Sequence, residues 1–467
     1  MNPAELISPT VSQTLADRAT RADYGRWATQ VKHTGGCAQP VHLRGRVTHL
    51  DPATGEVLRH YSTSTEPDGV LRVACKTRRA SRCPACAEVY RADTYQLVRA
   101  GLVGGKGVPN AVTGHPAAFV TLTAPSFGPV HTTRKTRTGK TSPCHPRRSG
   151  GTCPHGNALG CGEHHHPDDP RLGEPLCPDC YDYTGHVLFN ALAPELWRRF
   201  TLALRRRLAK TAGLTLTELK TSAVVSFAKV AEYQRRGLVH FHAVIRLDGP
   251  HGPTSTPPTW ATFDALTDAV QHAAGAVRAS SPAADGLGPR AFAWGLQLDI
   301  RPINASGELT DQAVAGYIAK YATKAAECVG TVDRRLSPGT DLDTLDLRAH
   351  PRRLIGECLR LGALPGLEDL RLAEWAHMLG FRGHFSTKSR RYSTTLGALR
   401  EARAEHQRQQ SEEVTTGRLP LFAEDTVLVV RDWRMVGRGH TPGELLLSAA
   451  LCGQKLPAFH PIGRNTT

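Results

Sequence analysis

The sequence predicts an α+β protein with a central antiparallel sheet, a cysteine-knuckle region at its N-terminal end and an insertion ordered by metal. Three observations predict it. Two strand-like apolar runs, Val224 to Gln234 and Leu238 to Leu247, flank the turn Arg235-Arg236-Gly237, the signature of a hairpin. Leu196, Trp197, Phe200, Leu204 and Leu208 fall at helical spacing, which gives a helix one apolar side. Cysteines come in close pairs, Cys83-Pro-Ala-Cys86 and Cys177-Pro-Asp-Cys180, a spacing that suits zinc.

The elements follow in order. A strand is expected at Phe119-Val-Thr-Leu-Thr-Ala124, ended by Pro125. Residues 127–186 are rich in Pro, Gly, His and Cys with little periodicity, so they read as the insertion. A helix is expected to start at Pro194, a residue suited to the first helical position. The hairpin comes next, then a Pro/Gly/Ser-rich loop over 249–258. Phe292, Trp294, Leu296, Leu298 and Ile300 alternate as one half-buried strand should. Thr310 is the candidate N-cap of the helix after it. A basic segment, Phe381 to Tyr392, precedes a polar helix near 395–412.

The chain has 467 residues, enough for two or three domains. The expected division is an N-terminal zinc-binding region over 1–110, a core over 111–330 that contains the insertion, and a helical, basic C-terminal region over 331–467. That last region either binds DNA or completes the fold. A hydrophobic content of 40% supplies real cores, and a net charge of +16 calls for a polyanionic partner, of which nucleic acid is the usual one. No apolar run approaches the roughly 20 residues of a membrane span; Leu445 to Leu451 is the longest, a core-helix length. No basic segment leads into an apolar one at Met1-Asn2-Pro3-Ala4-Glu5, so no signal peptide and a cytoplasmic location are expected. Twelve cysteines in such a chain point to metal ligation rather than disulfides.

His240-Phe241-His242 lies within the second hairpin strand. Alternate strand residues share a face, so the two imidazoles point one way and Phe241 the other. Composition alone produces about one such triplet by chance, and His164 and His166 form another. The turn adds a third candidate. A three-residue loop with glycine in the left-handed position pairs Gln234 with Leu238, Tyr233 with Val239 and Glu232 with His240. Two histidines and a carboxylate on one face suit Mn²⁺ or Mg²⁺, with positions left open for a phosphate. A two-residue loop would instead move Glu232 to the Phe241 face, and the plain alternative is a solvated cross-strand pair.

Tyr317-Ile-Ala-Lys-Tyr321-Ala-Thr-Lys324 belongs to the helix after Thr310. At about 100° per residue, Tyr317 and Tyr321 lie on the border between a cationic side with Lys320 and Lys324 and an apolar side with Val314, Ile318 and Ala325. An ordinary core stripe would look the same. The chemical alternative is nucleophilic catalysis. A phenol with a pKa near 10 is a poor nucleophile; a metal polarising the phosphate, with lysines offsetting the developing charge, would remedy that. A second tyrosine one turn away allows a second transesterification.

Cys37, Cys75, Cys83 and Cys86 are the candidate ligands of one zinc ion. Cys177 and Cys180 belong to a second. Their partners are open among Cys144, Cys153 and Cys161, with His155 and His164 to His166 nearby; Cys153 and Cys161 are favoured. A closed four-ligand site has no open position for chemistry. Cys328, Cys358 and Cys452 read as isolated thiols. Gly139-Lys140-Thr141 is not a P-loop, because Arg134 stands where its first glycine is required. The basic loop Thr132 to Arg148, and Lys388, Arg390 and Arg391, either track phosphates or are solvated.

A Phe-Val-Thr-Leu-Thr strand, then His-Phe-His, then a Tyr-x-x-x-Tyr-x-x-Lys helix resembles, in that order, the HUH endonuclease superfamily. The helix is similar to that of two-tyrosine rolling-circle initiators of the phage gene A type. With the cysteine-rich N-terminal region, Leu176-Cys-Pro-Asp-Cys-Tyr-Asp-Tyr183 and Phe381-Arg-Gly-His384, most of the chain resembles RepSA-type initiators of actinomycete plasmids and integrative elements. The resemblance implies His240 and His242 as metal ligands, with Glu232 less secure as the third. It implies Tyr317 and Tyr321 as nucleophiles, and Lys320 and Lys324 as the helix lysines. It further implies a 5′-phosphotyrosine, a free 3′-hydroxyl primer, single-stranded and origin DNA as partners, and a host helicase and polymerase. Two other readings stand beside it: a two-tyrosine transposase, and a non-enzymatic zinc DNA-binding regulator.

Overall fold

The computed structural model describes residues 9–136, 138–147, 149–303, 310–324, 329–337, 339–415 and 427–454. In chain order the main elements are α1 (Pro9–Ala19), α2 (Tyr24–His33), β1 (Val41–Leu50), β2 (Val57–Ser62), β3 (Leu71–Val73), α3 (Pro84–Val103), β4 (Ala117–Leu122), β5 (Arg134–Lys135) and β6 (Thr141–Ser142). They continue with α4 (Tyr183–Thr211), α5 (Leu216–Ser222), β7 (Val224–Tyr233), β8 (Val239–Asp248), α6 (Phe263–Ala276), β9 (Ala279–Ser280), β10 (Ala291–Phe292), β11 (Leu298–Pro302) and α7 (Asp311–Ala322). The last are α8 (Ala349–Gly362), β12 (Ser386–Lys388), α9 (Leu396–Thr415), β13 (Leu428–Arg438) and α10 (Pro442–Leu451). The fold is α+β with antiparallel sheets, as expected.

The chain divides into two compact units, 94–396 and the pair of segments 1–93 and 397–467. The sequence expectation drew its boundaries at 110 and 330; in the structure, segments from the two ends of the chain belong to one unit. The reason is strand pairing. β1 pairs with β13 along its whole length, and on its other edge with β3 near Val41 and with β2 near Leu50. α1 and α2 pack on α10, and Arg18 joins them through ion pairs to Glu444 at 2.7 Å and Asp68 at 2.6 Å.

The larger unit is organised on an antiparallel sheet of order β11-β4-β8-β7-β12. One face of β8 presents Phe241, Ala243, Ile245 and Leu247 to the apolar core shared with α4 and α6. The other presents His240, His242, Arg246 and Asp248. Arg246 and Asp248 are fully buried and bonded to each other, with Ser226 and His115 completing the carboxylate's partners. A buried charge pair is tolerable when it is saturated in this way.

Two expected elements differ. The helix does not start at Pro194 but at Tyr183, where Asp182 caps it by accepting from Gly185 N–H at 2.8 Å. Pro194 removes one internal hydrogen bond, yet residues 186–193 are all buried, and that packing carries the helix through it. The run from Phe292 to Ile300 is not one strand. It is split into β10 and β11: Gly295 lies so close to the segment just after β4 that a Cβ would meet Ala124 O at 2.7 Å, and Leu296 is turned fully into solvent. Gly139-Lys140-Thr141 sits at the short β5–β6 hairpin, not before a helix. Ala325, Cys328, and residues 137 and 148 of the basic loop lie outside the described residues. Among the described residues no helix is long and apolar enough to cross a membrane.

Candidate active site

The hairpin turn sets the site. Gly237 takes φ 86°, the left-handed value that a three-residue loop requires. Gln234 N–H bonds Leu238 O at 2.8 Å, and the register then places Tyr233 opposite Val239 and Glu232 opposite His240. Asn190 of α4 locks the turn from the core side, donating to Gly237 O at 2.9 Å and accepting from Val239 N–H at 3.0 Å.

On the polar face, Glu232 Oε2 lies 3.1 Å from His240 Nε2 and 2.9 Å from His242 Nε2. Burial pushes the Glu232 carboxyl up, but the two imidazole bonds outweigh it and hold it at about 2. Burial pushes His242 down, and its bond to Glu232 restores only part of that. A divalent cation with ligands at about 2.1 Å in octahedral array separates adjacent ligand atoms by about 3.0 Å. The two separations from Glu232 match such an ion, and all three ligand atoms lie within 4.8 Å of one another. Thr121 Oγ1, on β4, is 3.0 Å from His242 Nδ1, so Nδ1–H can donate to it while Nε2 keeps its lone pair for a cation. Phe119 stacks on the same imidazole at 5.8 Å and 6°. The roles of Thr121 and Phe119 were not readable from a strand motif alone, since they depend on β4 pairing with β8.

α7 lies across this face. Thr310 caps it as expected, accepting from Ala313 N–H at 3.2 Å. Tyr317 OH is 3.3 Å from Glu232 Oε2 and 3.2 Å from His242 Nε2. Tyr321 stacks on His242 at 6.1 Å and meets the Tyr317 ring at 4.7 Å with the planes tilted by 49°. Val314 and Ile318 are buried on the apolar side, while Lys320 and Lys324 are exposed, their Nζ atoms 5.5 and 5.1 Å from the Tyr321 ring. The lysines thus gather at Tyr321 rather than at both tyrosines. Burial, then the charge of Glu232, push the Tyr317 phenol well above its usual range. Without a cation the phenol would be a weaker nucleophile than in water.

The cysteines form separate clusters. Cys37, Cys75, Cys83 and Cys86 converge, with Cys37 Sγ and Cys83 Sγ 3.8 Å apart. Tetrahedral zinc with sulfur at about 2.3 Å gives an edge of about 3.8 Å. Backbone N–H groups of Ala38 and Cys75 donate to Cys83 and Cys37 sulfurs, which favours thiolates. The second knuckle needs a correction. Cys153, Cys177 and Cys180 converge with His155, not with Cys161. Cys161 is drawn away because its backbone pairs with His145 at 2.8 and 2.9 Å, while the Cys153-Pro-His155 turn brings the His155 ring to 3.3 Å from Cys180 Sγ. His155 was named as a neighbour; its two-residue offset from Cys153 was the available signal. Cys358 is buried and Cys452 half-buried, and neither belongs to a cluster among the described residues.

Residues 23–452 match the family model described as RepSA, replication initiator protein, pSAM2. A replication initiator protein of Streptomyces ambofaciens is 51% identical over 456 residues, covering 96% of this chain and 94% of that relative. No solved structure matches the chain. The family match takes in both tyrosines, the histidine pair and every cysteine cluster, and the chain belongs to the RepSA family of replication initiator proteins.

Proposed function

We propose that this initiator is an HUH endonuclease that starts rolling-circle replication by nicking one strand of its own origin, through a 5′-phosphotyrosine, and later rejoins it. The observation that carries this reading is the position of the Tyr317 hydroxyl, 3.3 Å from Glu232 Oε2 and 3.2 Å from His242 Nε2, at the rim of a three-ligand set with open positions. A core tyrosine would have no reason to meet two metal-ligand candidates at once. Mn²⁺ or Mg²⁺ held by Glu232, His240 and His242 would polarise the scissile phosphate and offset the carboxylate charge that raises the phenol.

The residues of the chain do the rest. The Tyr317 oxygen bonds to phosphorus and the bond from phosphorus to the 3′-oxygen breaks. The proton given up by the phenol is matched by the one gained by the released 3′-hydroxyl, which serves as primer. Tyr317 makes the first cut because its hydroxyl borders the ligand set. Tyr321, beneath Lys320 and Lys324, performs the second transesterification, with the lysines offsetting phosphate charge. The Cys37 and Cys153 clusters hold structural Zn²⁺. The net charge of +16 serves origin and single-stranded DNA, and strand separation and synthesis fall to host helicase and polymerase.

The test is direct. The protein is incubated with Mn²⁺ and a labelled single strand from its own origin, and a covalent protein–DNA adduct is sought. An adduct lost in the Tyr317→Phe, Tyr321→Phe double variant is expected. No adduct from the parent protein, or an undiminished one from the double variant, sinks the nuclease reading.

A further inference from the structure

Cys161, set aside by the second knuckle, has partners of its own. His131, Cys144, Cys161 and His165 bring one ligand atom each to a common point. His131 Nδ1 is 3.0 Å from His165 Nε2, which is 3.5 Å from Cys161 Sγ. Cys144 is fully buried and accepts from Thr132 N–H at 3.2 Å, as a thiolate would. Behind His165, Asp169 Oδ2 lies 2.7 Å from Nδ1. A carboxylate in that position fixes the tautomer and leaves Nε2 as the ligating atom. Arg171 holds Asp169 in turn, at 2.9 Å, and reaches Glu163 at 2.6 Å. Two thiols and two imidazoles in a half-buried, four-sided cage are the donor set of a closed zinc site.

One ligand is tied by its backbone to the hairpin region. His131 N–H bonds Glu174 O at 2.8 Å, and Gly173 N–H bonds His131 O at 2.9 Å. Gly173 lies against the turn, where an added Cβ would meet Arg235 O at 2.4 Å, so no larger residue fits there. Glu174 accepts from His350 N–H at 3.0 Å, and His350 Nε2 donates to Arg236 O at 2.9 Å. The path from the cage to the turn that sets the Glu232 register is thus continuous.

We propose that His131, Cys144, Cys161 and His165 bind a third structural zinc ion, and that this ion seats Gly173 and Glu174 against the Arg235-Arg236-Gly237 turn. The claim concerns metal content and order and does not depend on strand cleavage. It is tested on the full chain carrying Glu232→Ala, so that the open three-ligand site does not add to the count. Elemental analysis after dialysis against metal-free buffer is expected to find three zinc ions per chain, one for each four-ligand cluster. Adding Cys144→Ser and Cys161→Ser should leave two, and speed amide exchange at Gly173 and Gly237. If that variant does not fold, His131→Cys decides. It should keep all three ions and strengthen the thiolate-to-metal band of the cobalt-substituted protein. Two ions in the Glu232→Ala protein, three in the serine variant, or an unchanged cobalt spectrum for His131→Cys would overturn the site. Loss of the third ion with unaltered exchange at the turn would overturn the seating.

Discussion

The Glu232 site and the Cys37 cluster both gather ligand atoms at one point, yet their surroundings are opposite. The four cysteines supply the full donor number of a tetrahedral ion, and backbone N–H groups of Ala38 and Cys75 donate to the sulfurs. A tetrahedral ion held by all four would have no open position for a substrate. Glu232, His240 and His242 cover one side only, and the next group in reach is a tyrosine hydroxyl. A closed set stores binding energy as folding energy. An open set, by contrast, would leave positions on an ion for a further group. Ligand number and the chemistry of the nearest neighbour therefore separate the two sites.

The comparison breaks first at the closed site. Structural zinc in small domains supplies about 10–16 kcal/mol of binding that is folding energy, and among the described residues the unit of 1–93 and 397–467 has small apolar clusters around Trp27 and Cys83. Cys37→Ser with Cys83→Ser, or a strong chelator, should therefore unfold that unit, seen as rapid limited proteolysis within it. Resistance equal to the parent would show that the cluster is no strut. At the open site the outcome should invert. Glu232→Gln gives up the charge that the two histidines hold ionised and should lower the melting temperature by several degrees, at about 2–4 °C for each kcal/mol, with the unit still folded, while adduct formation falls by more than about a hundredfold, since even partners one step behind a ligand cost about 10–100-fold. Unfolding of the unit would make Glu232 a structural residue. Thr121→Val is the finer probe. It removes the partner of His242 Nδ1 and should raise the Mn²⁺ concentration for half-maximal adduct by about 10–100-fold, with the maximal rate largely kept. An unchanged Mn²⁺ dependence would remove Thr121 from the site.

How much of this was legible depended on range. The Glu232–His240 pairing was readable because a local rule governs it: three turn residues ending in glycine set the register. The Thr310 cap and the α7 stripe are equally local. What escaped was set by distant partners. β13 is built from residues nearly 400 positions from β1, and no periodicity announces that pairing. Pro194 read as a start because its intrinsic preference is local, while the buried run from Gly185 to Ala193 before it overrides that preference. Cys161 was drawn to the wrong cluster because cysteine spacing counts residues, whereas the backbone pairing with His145 decides which way the thiol faces.

The smallest expected effect lies on the opposite side of the strand that carries Glu232. Lys229 is three residues before Glu232 on β7 and so points to the other face, where its Nζ sits 3.8 Å from the centre of the Phe241 ring and 5.5 Å from that of Trp197. Burial pushes its ammonium down to about 7. An unfolded lysine titrates near 10.4, so between those values the unfolded chain binds more protons and stability rises with pH. Below about 7 both states are charged and the full cost of burying the ammonium is present, softened by the ring faces. Lys229→Met keeps the stem and removes the charge. Its melting temperature should exceed the parent's by several degrees at pH 6, at about 2–4 °C for each kcal/mol, and the gap should close towards pH 10. A gap that persists unchanged at pH 10 would mean that side-chain shape, not desolvated charge, separates the two proteins. The strand would then carry a tuned charge on its Glu232 face only.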